Sequence, residues 1–409
     1  MYSQMKNMKL IDSGRKSWEW ASSHMGIMSA IVNEHINYKP LKGLRLGLSL
    51  HITKETSVLV MAAIRLGCKV SLCSANPLSV QEDIVAFLSS VGVKTYAWKD
   101  ETEREYSGNL KQVLEDHPQI VTDDGSNLHV MAHKSKTLGI LGGTEETTSG
   151  ITRLKALEKD GKLQYPVIGV NEARTKHLFD NRYGTGQSTL TGIIRLTNVL
   201  IAGKLIVVCG YGHVGRGVAA RARGMGAIVT VVEVDALKAL EAYMDGYYVK
   251  KIDQVVQNAD IFITCTGQKY VITEKHFKRM KNGAILANAG HFDNEIDLEK
   301  LFSNSNENHS IRQYLDCFHI NGRKIFLLSK GRVVNLVGGE GNPPEVMAMS
   351  FANQLLSIIH IFQNHKKMQK KVFSVPEKID STVAKLSLKY LQIGIDKLSP
   401  AQRKYAKSY

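Results

Sequence analysis

The chain has 409 residues, of which 43% are hydrophobic and 22% are charged, and this is ordinary for a soluble protein of two or three domains. The absence of an 18-residue apolar run or a secretory core argues against a membrane partner and secretion, and it favours the cytoplasm. The net charge of +15 has its densest basic run at 365–371, where no aromatic residues interleave, so we expect a solvated surface and no nucleic-acid partner.

The five cysteines are scattered through apolar runs without a C-x-x-C spacing. We therefore expect reduced core thiols, neither disulfide-bonded nor ligating a metal, and we predict no metal site.

Residues 15–38 have the pattern of an amphipathic helix, and from Leu44 strand-like and helix-like segments alternate. This order predicts a parallel sheet with crossover helices. His51 ends the first strand and is followed by Thr53 and Glu55. In open α/β sheets ligands bind at the carboxyl ends of strands, so His51 is a candidate site residue, although a helix-capping role is as plausible.

Two acidic pairs follow later apolar runs: Asp123 with Asp124, and Glu145 with Glu146, the latter preceding Thr147 and Thr148. They also fall at strand ends, but turn formation and helix capping are the alternatives.

Lys176 and Asp180 are four residues apart and would share a helix face, where a surface ion pair is the alternative to a functional role. Gly184 and Gly186 are expected to break the chain before a helix from Thr189 to Leu200, which would make this segment an interdomain hinge.

The segment 205–235 predicts a dinucleotide site. An apolar strand leads into Gly210-x-Gly212-x-x-Gly215 and a helix, and a second strand ends at Glu233. The glycines permit a tight turn, close approach of a pyrophosphate and close helix packing, and the acid would hold the ribose hydroxyls and favour NAD over NADP.

Two further strands end near Thr266 and at Gly290-His291, where they would line the nicotinamide. A long helix after Pro343 is predicted to return to the first domain. The fold class is therefore α/β, with a doubly wound Rossmann-type cofactor domain inserted in a second α/β substrate-binding domain, and with a short helical C-terminal tail. The expected boundaries are 1–187 and 343–375 for the substrate domain, 188–342 for the cofactor domain and 376–409 for the tail.

Several motifs together identify a family resemblance over nearly the whole chain. They are H-x-T-x-E-T from His51, N-P-L-S from Asn76, D-D-G from Asp123, E-E-T-T from Glu145, K-x-x-F-D-N-R-Y-G-T-G-Q-S-T from Lys176, G-Y-G-H-V-G-R-G from Gly210, N-A-G-H-F-D-N-E-I-D from Asn288 and G-R-V-V-N-L from Gly331. The chain resembles S-adenosyl-L-homocysteine hydrolase, and more closely its shorter archaeal and thermophilic-bacterial branch.

This resemblance implies an enzyme of the methyl cycle in one-carbon metabolism that reversibly hydrolyses S-adenosyl-L-homocysteine to adenosine and homocysteine. Tightly bound NAD would oxidise the 3′-hydroxyl, homocysteine would leave by elimination, and water addition and re-reduction would follow. A nucleoside thioether is then the small-molecule partner, and a homo-tetramer or dimer is expected.

The resemblance also implies site residues. The catalytic residues would be His51, Asp124, Glu146, Lys176, Asp180 and His291. The cofactor would be bound by Thr147, Thr148, Asn181, Gly210, Gly212, Val214, Gly215, Glu233, Thr266, Asn288 and Asn335. The substrate would be bound by Thr53, Glu55 and Asn342.

Asn342 departs from the family, which usually has histidine in this turn before proline. Since Asn342 is distant in sequence from Lys176 and Asp180, we expect it to act near the base and to affect KM more than 3′-oxidation.

Three alternatives for the function of the chain remain: a paralogue acting on a modified thioether such as S-inosylhomocysteine, a non-catalytic NAD-binding regulatory homologue, and an ordinary NAD-dependent dehydrogenase.

Overall fold

A computed structural model describes residues 8–408, which form two α/β units and a helical tail. The first stretch of chain comprises α1 Met8–His24, α2 Gly26–His35, β1 Arg45–Leu50, α3 Lys54–Arg65, β2 Lys69–Ser74, α4 Glu82–Ser90, β3 Lys94–Tyr96, α5 Glu103–Glu115, β4 Ile120–Asp123, α6 Asn127–Lys134, β5 Gly142–Glu145, α7 Thr148–Lys159, β6 Val167–Gly169, α8 Arg174–Lys176, a π-helix His177–Gly184 and α9 Thr185–Thr197.

The remaining chain builds the second unit and then returns to the first. Its elements are β7 Leu205–Cys209, α10 His213–Gly224, β8 Ile228–Val232, α11 Ala236–Met244, β9 Tyr248–Val249, α12 Ile252–Val255, β10 Ile261–Thr264, α13 Glu274–Phe277, β11 Ala284–Asn288, α14 Leu298–Ser303, β12 Glu307–Arg312, β13 Leu315–Ile320, β14 Arg323–Leu328, α15 Val334–Val337, α16 Pro344–Asn364, β15 Val372–Ser374, α17 Glu377–Tyr390 and α18 Pro400–Tyr405.

The first sheet is parallel throughout the described residues, with strand order β15-β6-β5-β4-β1-β2-β3. Its register sets Ser49 beside Asp123 and Asp123 beside Glu145. The residues that follow these strands therefore emerge at one edge of the sheet, as ligand-binding residues of open α/β sheets do.

The second sheet has the order β12-β13-β14-β11-β10-β7-β8-β9. Strands β7 to β11 and β14 run parallel, whereas β12, β13 and β14 pair antiparallel at one edge. The chain leaves the first sheet after β6 and rejoins it at β15, so the cofactor unit is inserted in the other. The predicted fold class is confirmed.

Helix α16 carries the chain back into the first unit. Its residues Phe351, Ala352 and Leu355 belong to the same buried apolar cluster as β1 and α3. By length and composition the segment Pro344–Lys367 could also cross a membrane, but 61% of its apolar window is buried inside the protein. A core helix has this composition because it is apolar on most of its circumference.

Two sequence-based expectations of local structure are wrong. The helix expected over 15–38 is interrupted at Met25, where φ is −112°, and α2 begins at the next residue, Gly26. The predicted break at Gly184 and Gly186 does not occur, because the π-helix continues directly into α9. The domain boundary expected after residue 187 falls within α9 and stays a prediction.

Glycines in this region allow helices to touch rather than the chain to break. A Cβ on Gly217 of α10 would lie 1.8 Å from the Arg182 carbonyl oxygen of the π-helix, and a Cβ on Gly186 would lie 2.5 Å from the Gly217 backbone. Helix α10, which follows the glycine loop, therefore packs backbone to backbone against the π-helix, which carries Asp180.

We expect Gly217→Ala to destabilise the protein by at least about 1–3 kcal/mol, the usual cost of overpacking, because the new methyl group meets backbone. Gly224→Ala in the same helix is the matched control, since a Cβ there meets no atom within 4 Å. Thermal unfolding of both variants measures the difference, and equal midpoints would contradict this role of Gly217.

Candidate active site

The candidate site lies where the carboxyl edges of the two sheets meet, and three titratable side chains occupy its centre. His51 follows β1 and Asp124 follows β4, whereas His291 follows β11 of the other sheet. Asp124 Oδ2 lies 3.6 Å from His51 Nε2, and Asp124 Oδ1 lies 3.3 Å from His291 Nδ1. The two units thus jointly build one cluster of titratable side chains.

The hydrogen bonds of His51 indicate its tautomer. Ser79 Oγ donates to the Asn76 carbonyl oxygen at 3.0 Å, so it accepts from His51 Nδ1 at 2.6 Å. His51 Nε2 then presents a lone pair towards Asp124. Helix α3 is capped by Thr53, not by His51, so the capping alternative for His51 is wrong.

Burial sets the charge of this cluster. It lowers the pKa of His51 to about 4 and that of His291 to about 4, in the latter case against the opposing effect of Asp124. It raises the pKa of Asp124, while His291 and Lys176 oppose the change. Near neutral pH the two imidazoles are therefore neutral and able to accept a proton, as general bases must be.

A second cluster surrounds the buried ammonium of Lys176. Its Nζ lies 3.2 Å from Asp180 Oδ2 and 3.7 Å from Glu146 Oε1, and it donates to Asn181 Oδ1 at 2.6 Å and to Asn171 Oδ1 at 3.3 Å. The Lys176 side chain is only 6% exposed. The surface ion pair considered as an alternative is therefore wrong.

Burial and charge oppose each other in this cluster. Burial would lower the pKa of Lys176, but the carboxylates of Asp180, Glu146 and Asp124 outweigh it and raise that pKa. Burial raises the pKa of Glu146 to about 8, with Lys176 opposing. One cation thus faces the nearer carboxylate of Asp180, while Glu146 holds a proton near neutral pH.

Within each acidic pair only the second residue faces the site. Asp123 accepts from the backbone N–H groups of Asp124 and His129, and Glu145 accepts from Gly125 N, Ser126 Oγ and the backbone and hydroxyl of Thr147. The first acid of each pair therefore builds the turn, and it aims Asp124 or Glu146 outward from the strand.

Asn342 lies on the Lys176 cluster and not apart from it. Its Nδ2 donates to Asp180 Oδ1 and, at 3.0 Å, to Thr185 Oγ1, while its Oδ1 accepts from Ser188 Oγ at 2.7 Å and Asn335 Nδ2 at 3.1 Å. Distance in sequence from Lys176 and Asp180 therefore does not mean distance in the structure, because the turn at Gly341 folds back onto the π-helix. The predicted effect of Asn342 on KM stays a prediction.

The glycine loop provides a cradle for a dinucleotide. Gly210 has φ +102°, a Cβ on Gly215 would lie 2.0 Å from the Gly210 carbonyl oxygen, and a Cβ on Gly212 would meet no atom within 4 Å. Val214 lies in the first turn of α10, whose N–H groups face this open space. Glu233 Oε2 accepts from Tyr211 N at 2.7 Å, which places the carboxylate beside the loop. These residues fit NAD.

The other residues predicted to bind the cofactor differ in whether their hydrogen-bonding groups are free to bind a ligand. Asn288 and Thr266 are committed inside the protein, Asn288 to Thr264 and nearby carbonyl groups and Thr266 to Glu295. Thr148 Oγ1 accepts from Asn171 Nδ2 at 2.8 Å, close to Lys176. Asn335 Oδ1 is buried and has no hydrogen-bond partner within residues 8–408, so it remains available to a ligand.

Sequence reasoning missed the contribution of α16. Ser350 Oγ donates to Asp180 Oδ2 at 2.8 Å, and Gln354 Nε2 donates to Glu146 Oε2 at 2.8 Å. Asn353 and Ser357 are buried on the same helix. The spacing i, i+3, i+4, i+7 of these polar residues in an apolar helix is the signal that could have revealed them.

The strand order, the glycine loop and the acid after β8 are those of an NAD-binding enzyme, and buried clusters of titratable side chains lie beside its two sheets. The family model "S-adenosyl-L-homocysteine hydrolase" matches residues 2–139, and the model of the NAD binding domain of that enzyme matches residues 181–341. The chain belongs to the S-adenosyl-L-homocysteine hydrolase family.

Relatives of both substrate classes match the full chain. It is 49% identical to the adenosylhomocysteinase of Sulfurisphaera tokodaii, over 99% of this chain and 98% of the relative. It is 46% identical to the S-inosyl-L-homocysteine hydrolase of Methanocaldococcus jannaschii, over 99% of each chain, and 46% identical to the adenosylhomocysteinase of Aquifex aeolicus, over 99% and 98%.

The family, the enzyme class and the NAD cofactor predicted from the sequence are confirmed. The predicted hydrolysis of S-adenosyl-L-homocysteine is confirmed at the level of the family, and the ordinary dehydrogenase and the non-catalytic homologue are set aside.

The pKa of Glu146 generates a test of the buried cluster. Folding raises it from the usual 4.5 to about 8, so the Glu146 contribution to stability is largest below pH 4.5 and is lost as the pH rises towards 8. We expect Glu146→Gln, compared with the wild-type protein, to gain relative stability progressively between pH 5 and 8. Unfolding midpoints across this range measure the effect, and a pH-independent difference would contradict it.

Proposed function

We propose that this enzyme hydrolyses S-adenosyl-L-homocysteine with the Lys176 cluster acting at the 3′-hydroxyl and the Asp124 cluster acting at C4′ and C5′. The observation that carries the proposal is that two buried clusters of titratable groups lie close enough together for their charges to interact. Their charges interact, since Lys176 and Asp180 both influence the pKa of Asp124. A reaction with two separate proton-transfer centres needs such a pair.

When bound by the glycine loop and Glu233, NAD would supply hydride-transfer chemistry at the 3′ carbon in both directions. Lys176 Nζ donates a hydrogen bond to the 3′ oxygen, and as the 3′ hydroxyl loses its proton to Nζ, Lys176 passes one of its own protons to Asp180 Oδ2, which lies 3.2 Å away. Ser350 and Asn342 donate to Asp180 and hold it in place. Glu146, protonated near neutral pH, donates to a ribose hydroxyl oxygen. Gln354 fixes the other oxygen of Glu146, so the carboxyl group has one free face.

The Asp124 cluster performs the elimination and the addition of water. With a 3′-ketone in place, a base of this cluster takes the C4′ proton as the C5′–S bond breaks, and a neighbouring group protonates the leaving thiolate. Water then adds at C5′ with the protons moving in the opposite sense. Neutral His51 and His291 on either side of Asp124 supply the acceptor and donor that both steps require.

We propose that the adenosyl base is preferred. Glu55 is 1% exposed, and its Oε1 lies 3.4 Å from Lys54 Nζ without a well-formed hydrogen bond from residues 8–408. A carboxylate there accepts from the exocyclic amine of adenine but repels the 6-oxo group of hypoxanthine. The inosyl thioether is a second candidate, because Lys54 Nζ lies 3.4 Å from Glu55 Oε1 and could donate to that oxo group.

Incubation of the NAD-bound enzyme with S-adenosylhomocysteine and with S-inosylhomocysteine, followed by thiol detection, tests the function. We expect release of homocysteine from the adenosyl compound at the higher kcat/KM. Release from the inosyl compound alone would overturn the proposed base, and release from neither would overturn the hydrolase function.

We also propose that the enzyme forms a homo-tetramer or dimer and works in the cytoplasm. Assembly is supported by exposed apolar side chains in the tail, among them Ile393, Ile395 and Leu398. A reducing compartment is supported by the cysteines, which are all free thiols.

We expect Lys176→Ala and Asp180→Asn each to slow reduction of bound NAD by adenosine about 10²–10⁴-fold, the usual contribution of a positioned acid or base. Lys162→Ala is the control, because Lys162 is exposed and pairs with Asp160 on the surface. NADH absorbance after mixing with adenosine follows the step directly. Undiminished reduction in either active-site variant would show that the roles are misassigned.

We expect Asn342→Ala to slow 3′-oxidation rather than to change KM alone, because it removes a hydrogen bond to Asp180. The loss of one such bond to a charged group is worth about 1.5–3 kcal/mol, or roughly tenfold to a hundredfold in rate. The readout is NADH formation at saturating adenosine. If the variant has an altered KM but an unchanged rate of NADH formation, Asn342 acts at the base and not in 3′-oxidation.

A further inference from the structure

The β12–β13 hairpin of the second sheet brings three potential metal ligands onto one face. In its register Glu307 lies opposite His319, and His309 follows Glu307 by two residues. Side chains at i and i+2 of a strand share a face, and directly opposed cross-strand residues do as well. Strand β12 is the edge of the sheet, and all six of its residues are exposed.

The distances between these ligands approach those of a bound ion. Glu307 Oε1 lies 3.8 Å from His309 Nδ1, Glu307 Oε2 lies 3.6 Å from His319 Nδ1, and one donor atom from each residue lies within 4.8 Å of the others. Tetrahedral Zn²⁺ with bonds of about 2.0–2.1 Å separates its ligands by about 3.3 Å. Small side-chain rotations close this gap without movement of the strands.

The donor atoms have few competing partners. His319 Nδ1 is buried yet has no hydrogen-bond partner within residues 8–408. The rings of His309 and His319 are 5.7 Å apart and both face the same carboxylate. A buried ring nitrogen beside a second imidazole and a carboxylate is a better ligand for a borderline ion than for Mg²⁺ or Ca²⁺, which prefer oxygen.

The described residues contain two other clusters of this kind, and each has another explanation. His51, Asp124 and His291 form the proton-transfer centre, while Asp123, His129 and Glu145 are engaged in hydrogen bonds that build the turns beneath it. The hairpin cluster has no part in the proposed hydrolysis.

We propose that Glu307, His309 and His319 form a surface site for a divalent transition-metal ion, with Zn²⁺ as the best match. Three protein ligands leave a fourth position for water. The ion would join the edge strand to β13. Lys324, which lies opposite His319 on β14, adds a nearby positive charge that limits the affinity.

Titration of the untagged, NAD-bound enzyme with Co²⁺, followed by visible absorbance and displacement with Zn²⁺, tests the site. We expect His309→Ala and His319→Ala each to weaken binding about tenfold or more, whereas Lys324→Gln strengthens it. His24→Ala on α1 is the matched control and should bind as the wild type does. We expect unchanged thiol release from the hairpin variants, and this result would show that they are folded.

Two results would overturn the site. Equal Co²⁺ binding by the wild type, His309→Ala and His319→Ala would exclude the hairpin. Loss of all binding in His51→Ala, with binding retained in the hairpin variants, would assign the metal to the proton-transfer centre instead.

Discussion

The site depends on the interactions that the buried ammonium group of Lys176 makes with its neighbours. An isolated cation in a protein interior is strongly disfavoured, so it persists only where carboxylates and hydrogen-bond acceptors surround it. Here the partners come from three parts of the chain: Glu146 after β5, Asp180 on the π-helix, and, through Asp180, Ser350 on α16. The charge therefore fixes the relative positions of the first sheet, the linking helix and the returning helix.

The same constraint explains why the chain returns to its first unit. Helix α16 is apolar enough to lie in a protein core, yet four of its buried positions carry polar side chains. Two of these, Ser350 and Gln354, complete the hydrogen bonding of Asp180 and Glu146. Without the return of α16, both carboxyl groups would be buried and incompletely satisfied, at a cost that a marginally stable fold does not tolerate.

Sequence reasoning predicted the strand ends well, because a polar residue after an apolar run is a local signal. The local sequence does not indicate which residue of an acidic pair faces the site. Asp123 and Asp124 have the same chemistry and differ only in the side of the turn that they face. The contact of Asn342 with Asp180 spans 162 residues and leaves no local signal. The π-helix was also unpredicted, because its hydrogen bonding differs from that of an α-helix without a distinct composition.

The close contact between Gly217 and Arg182 joins two functions that the chain keeps separate in sequence. Helix α10 begins at the glycine loop, and it touches the backbone of the π-helix that carries Asp180. Any energy by which a dinucleotide favours one position of α10 is therefore available to order the Lys176 cluster, and thermodynamic linkage makes this relation reciprocal. If α10 and the π-helix shift together, a nucleoside that engages Lys176 tightens cofactor binding by the same factor, and the enzyme then holds its oxidant most firmly while substrate is bound.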